Sequence, residues 1–142
     1  MARLSIFNMA FGFSVLFFAA CAGAFISFDM TQAFLHDPAQ LNSWQLSLLK
    51  SAHGHSNLFG VLHIGLGLTL PYSPLPQRSK IAQTVGLAMG VLAMGPGMII
   101  RAFGGASDSF DVIGLCIGTG LSLALVTLAT HAAALFYKTL RA

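Results

Sequence analysis

The 142 residues are 56% hydrophobic and 8% charged, against roughly 25% charged in an ordinary soluble domain, so a water-facing surface cannot be assembled and the solvent must be lipid. A formal charge of +3 comes from scattered basic residues that form no cluster, which argues against a nucleic-acid partner. Cys21 and Cys116 both fall inside apolar runs and read as buried small residues, not as a disulfide framework.

Each crossing of a bilayer needs about 20 apolar residues, and four such runs follow in chain order. Span one covers roughly Ser5 to Phe28; its apolar run is too long for a signal peptide and reads as a retained helix. A longer loop follows, from Asp29 to about Gln45, in which Leu35, Leu41 and Trp44 among polar residues suggest a short amphipathic segment lying on the membrane. Span two runs from about Leu48 to Leu70, stopped by Pro71. Span three covers Ile81 to Phe103, with Pro96 between Gly95 and Gly97 set to kink it and form a pocket wall. Span four runs from Asp111 to Tyr137. The expected fold is an all-α integral membrane four-helix bundle, one domain over residues 1–142.

Arg3, Arg78, Lys80, Lys138 and Arg141 fall on one side of this arrangement, while Asp29, Asp37, Asp108 and Asp111 fall on the other with Lys50 and Arg101. The positive-inside rule then places both termini in the cytoplasm, in a membrane of the bacterial inner type. Trp44, Tyr72 and Tyr137 sit beside span ends, where amphipathic rings favour the headgroup region. Gly86 and Gly90, Gly114 and Gly118, and the stretch Ala20 to Ala24 mark places for close helix approach, within the chain or in a homo-oligomer.

Four of five histidines, His53, His55, His63 and His131, lie inside these spans, where ionisable groups are costly and turn to the bundle interior. Counting inward from Leu70 and Tyr137 puts His63 and His131 about 10 Å from the inner ends of their helices, a matched depth that suits two axial ligands of one b-type haem. Gly60, Gly65 and Gly67 would leave room for the macrocycle. His53 and His55 stand two apart, about 200° around a helix, so only one can face the core. Arg101 is a candidate partner for a haem propionate, or else an interfacial anchor paired with Asp108 or Asp111; Lys50 reads as a snorkelling anchor.

The segment Ser51-Ala52-His53-Gly54-His55-Ser56-Asn57-Leu58-Phe59-Gly60 resembles the second-helix segment of haem-copper oxidase catalytic subunits and related nitric oxide reductases, and is similar to small four-helix membrane proteins with an alanine-histidine-x-histidine helix start. The resemblance covers about ten residues and implies that His53, or His55 in a shifted register, ligates a low-spin haem. Four helices replace the superfamily's twelve, and no cluster of three histidines for copper accompanies them, so what the resemblance implies is a minimal haem-binding bundle. The expected roles are electron transfer, gas or redox sensing, or service as a small subunit of a larger respiratory membrane complex, with a quinone among the partners. The His63–His131 pair and the His53 or His55 assignment exclude each other unless two haems bind.

Two other classes compete. Met89, Met94 and Met98 could join His53, His55, His63 or His131 in a copper or zinc site, although methionine more often fills gaps in a core. Alternatively the chain is a cofactor-free accessory subunit whose histidines bond between helices. The absence of glutamate argues against carboxylate-bridged metals and proton-pumping relays, and no nucleophile–histidine–acid arrangement is apparent.

Overall fold

The computed structural model describes residues 2–36, 43–104 and 111–141. They form four long helices: α1 (Ala2–His36), α2 (Ser43–Thr69, continued by a 3-10 turn over Leu70–Tyr72), α3 (Gln77–Gly104) and α4 (Val112–Thr139). The chain is all-α, and α1, α3 and α4 are each long and apolar enough to cross a membrane. At 27 residues and about 1.5 Å each α2 is also long enough, but Gln45, Ser47, Lys50, Ser51, His53, His55, Ser56 and Asn57 dilute its first half. The share of polar groups, not length, sets α2 apart.

The stretch expected as a surface loop is mostly helix. α1 continues two turns past Phe28 to His36, and α2 begins at Ser43, so Asp29, Leu35 and Trp44 are helical; Asp37, Leu41 and Asp108 lie outside the described residues. No residue between Asp29 and His36 is a helix breaker, and a helix end in this stretch has no sequence signal to fix it.

The helices alternate in direction, so the beginning of α1, the end of α2, the beginning of α3 and the end of α4 share one end of the bundle. α1 packs almost wholly on α2, and α4 on α3, with α2 and α3 joining the two pairs. Close approach explains the pairing. A Cβ at Gly12 would lie 2.5 Å from the Gly60 carbonyl oxygen, so α1 and α2 touch backbone to backbone there. On the other side Gly90 receives the Phe59 ring and the Ala124 methyl. The room expected at Gly60 and Gly67 is filled by α1, while Gly65 and Gly118 meet nothing and face outward. Phe59, Leu66, Leu70, Leu87, Val91, Ala93, Met94 and Ala124 form the dry core.

Pro96 has no N–H to bond the Leu92 carbonyl, and the helix widens into a π turn over Ala93–Gly97 before resuming. The turn is packed, not open: Gly95 faces the Ser56 side chain of α2 and Ala93 faces Gly120 of α4. Met94 is buried in the core and Met89 is partly exposed. The cysteines differ from expectation, since Cys21 and Cys116 are free and exposed on the apolar outer surface. That surface is rich in bare aromatics, including Phe13, Phe17, Phe18 and Phe25, the last 80% exposed.

Two charged side chains tie down helix ends. Lys80 is 1% exposed, and its Nζ donates at 2.8 Å to the Leu70 carbonyl, which also accepts from the Ser73 amide at 3.3 Å where α2 stops. At the opposite end Asp111 caps α4 by accepting from the Ile113 and Gly114 amides, each at 3.0 Å, and also pairs with Arg101.

Candidate functional site

The four histidines within α2 and α4 separate into two groups. His63 and His131 lie toward the end of the bundle that holds both termini, and His53 and His55 lie in the other half. The hydrogen-bond partners of each ring decide which nitrogen keeps a lone pair.

His63 is fully buried, and its Nδ1 meets Asn8 Oδ1 at 3.0 Å. Asn8 is fully buried too, and its Nδ2 donates to the Leu4 carbonyl and to Thr84 Oγ1, both at 2.9 Å. Because the amide nitrogen must face those two acceptors, Oδ1 faces the ring, and His63 donates from Nδ1. Nε2 is left bare, with no hydrogen-bond partner. The Phe11 ring packs edge-on against the His63 ring, their centroids 4.7 Å apart. Asn8 thus joins α1, α2 and α3 through one polar group.

His131 uses both nitrogens. Nε2 lies 2.8 Å from Thr69 Oγ1, and Nδ1 lies 3.0 Å from Gln83 Oε1. Gln83 Nε2 donates to Thr130 Oγ1 at 3.5 Å, which keeps Oε1 toward the ring as an acceptor, so His131 donates from Nδ1. The neutral ring then accepts at Nε2 from the Thr69 hydroxyl, which also lies 2.7 Å from the Gly65 carbonyl. Thr69 lies six residues past His63 on α2, about 9 Å along its axis, so the two histidines are staggered where a matched depth was expected. His131 keeps no open lone pair for a shared ligand.

His55 turns back on its own helix, with Nδ1 2.9 Å from the Ser51 carbonyl. His53 instead faces α1. Its Nδ1 lies 2.9 Å from the Ala19 carbonyl, and the ring rests on Gly23, where a Cβ would lie 2.8 Å from Nδ1. A carbonyl can only accept, so Nδ1 carries the hydrogen and Nε2 the lone pair. The Asn57 amide, one turn on, stands 3.2 Å from Nε2 and also donates to the His53 carbonyl at 3.1 Å. This is the tautomer of a metal-binding histidine, whose second nitrogen is fixed by a backbone carbonyl.

His53 also lines a cavity of about 520 Å³ between α1 and α2, walled by Gly23, Ile26, Met30 and Phe34 with Lys50 on the same side as His53. The size is within the ~300–1,000 Å³ of small-molecule sites. A second hollow of about 460 Å³ lies across α1, between it and residues Leu46, Leu49, Ile99 and Phe103. Arg101 is engaged elsewhere: it pairs with Asp111 and lies 5.6 Å over the Trp44 ring. Among the described residues no three His, Cys, Asp or Glu side chains gather at one point.

Sequence reasoning passed over Asn8, Thr69, Gln83 and Thr84, the partners of His63 and His131, and Gly23, the seat of His53. Asn8 is the one signal that stood in the open: an amide in an apolar run must find a partner in lipid. Comparison of the chain with protein-family models, with curated proteins and with solved structures finds no match, so the geometry alone carries the functional argument.

Proposed function

We propose that this chain is a four-span membrane protein with both termini in the cytoplasm, and that it holds a b-type haem in the α1–α2 cavity with His53 as the iron ligand. Five basic residues at the termini end against Lys50 and Arg101 at the other support the orientation. The observation that carries the haem reading is the His53 ring: Nδ1 held by the Ala19 carbonyl, Nε2 with its lone pair, and a largely apolar cavity beside it. When bound, haem supplies a one-electron couple, which suits electron transfer in a bacterial-type inner membrane or within a larger respiratory complex. The chain's part is to fix the ring, exclude water with Ile26 and Phe34, and let Asn57 swing from Nε2.

The test is an absorption spectrum of the full chain in detergent, oxidised and dithionite-reduced, after expression with haem supply, alongside iron, copper and zinc analysis. His53→Ala is expected to remove the reduced α-band and stoichiometric iron, while His131→Ala, whose ring uses both nitrogens, leaves the band in place. A band that survives His53→Ala, or protein that folds without haem, overturns the assignment. Copper in its place would favour a soft-metal site, since Met30 lines the same cavity.

Gly23→Ala gives a gentler check. The added methyl takes the place of the His53 ring, a side chain that can rotate away, so the helices stay packed while Nδ1 leaves the Ala19 carbonyl. Iron content is expected to fall at least fivefold with little change in thermal stability. Full haem occupancy in this variant would show that the ring's seat on α1 is irrelevant to binding.

The second reading, a cofactor-free accessory subunit, is favoured by His63 and His131, whose interhelical bonds are those of structural histidines.

A further inference from the structure

Lys50 has no place in the charge pattern that orients this chain. It stands at the non-cytoplasmic half, where basic residues are disfavoured, and no ion pair to a carboxylate is recorded for it among the described residues. Its counterpart Arg101 is accounted for by Asp111 and Trp44. Lys50 is accounted for by the cavity: it precedes His53 by three residues, one turn along the same face of α2, and both line the hollow beside α1. The α1 wall runs from Gly23 to Leu35, about 18 Å, and is apolar except for the Ser27 and Thr31 hydroxyls. Thr31 bonds the Ser27 carbonyl of its own helix, and across from this wall Lys50 is the one lysine or arginine of the lining.

We infer that the α1–α2 cavity selects a lipophilic carboxylate, whose acid group pairs with the Lys50 ammonium while its apolar body lies along Ile26, Met30 and Phe34. Lys50 stands three residues, about 4.5 Å of helix rise, outward of His53, on the side nearer the membrane surface, so the acid meets its ammonium where a carboxylate stays partly hydrated. In the haem reading on which this rests, the acid is a porphyrin propionate, and Lys50 takes the role that the sequence offered to Arg101. A long-chain fatty acid has the same chemistry without iron.

The experiment titrates the full chain and its Lys50→Gln and Lys50→Arg variants in nanodiscs of neutral lipid with three probes: iron protoporphyrin IX, its dimethyl ester, and oleate. Lys50 is exposed at the cavity edge, so the variants keep the fold. The expected result is about tenfold weaker binding of the porphyrin acid to Lys50→Gln, retention in Lys50→Arg, and equal binding of the ester to all three proteins. Equal affinity of the acid for the unchanged chain and Lys50→Gln overturns the inference and leaves the haem reading standing. Lysine-dependent binding of oleate with no binding of either porphyrin supports the inference and removes haem. Binding of none of the three probes overturns the inference.

Discussion

Asn8→Leu is expected to destabilise the bundle by about 2–3 kcal/mol, because it strips three hydrogen bonds from one buried position and leaves His63 without a partner at either nitrogen. Interhelical bonds in membranes average only about 0.6 kcal/mol, since polar groups of the separated helices find other partners. The expectation here is higher because Asn8 and His63 are fully shielded and the ring already carries one unsatisfied nitrogen. SDS titration in mixed micelles, followed by Trp44 fluorescence, measures the loss. The double variant Asn8→Leu with His63→Leu should recover part of it, since removing both partners costs less than orphaning one. If the single variant is within 0.5 kcal/mol of the unchanged protein, the Asn8 link between α1, α2 and α3 contributes nothing to stability.

Much of the helical architecture was legible in the composition. A chain with so few charges must hide every backbone group in helices, and Pro71, Asp111 and the apolar run lengths mark most of their ends. The end of α1 beyond Phe28 was not legible because no residue from Asp29 to His36 gives a stop signal, so the helix runs on to His36. The histidines were less legible for a different reason. Depth counted from Leu70 and Tyr137 assumes level helix ends, yet His131 meets Thr69, not a residue beside His63. Which face a histidine turns depends on partners far along the chain, such as Asn8, 55 residues from His63. Arg101 could be paired in advance with an aspartate across the α3–α4 connection because Asp111 is ten residues on. Lys80 could not: a lysine counted as surface charge is buried on the Leu70 carbonyl, a contact set by how α2 ends over α3.

Gly12→Val tests whether the glycines serve the chain's own packing or a second copy. The new Cβ would stand 2.5 Å from the Gly60 carbonyl oxygen and 2.7 Å from Ile64 Cγ1, and two helix backbones cannot yield as one flexible side chain can. α1 must move away from α2, so the expected cost is about 3 kcal/mol, with loss of any ligand held in the cavity these helices share. Gly118→Val on α4 is the matched control, because nothing lies within 4 Å of its added atom and the residue is exposed. It should leave the SDS midpoint of the monomer unchanged. A drop of the Gly118 variant in oligomeric state, read by crosslinking in nanodiscs, would assign that outward glycine to contact between chains. A Gly12 variant as stable as the unchanged protein would mean that α1 and α2 do not meet at Gly12 and Gly60, and the cavity beside His53 would lose its α1 wall.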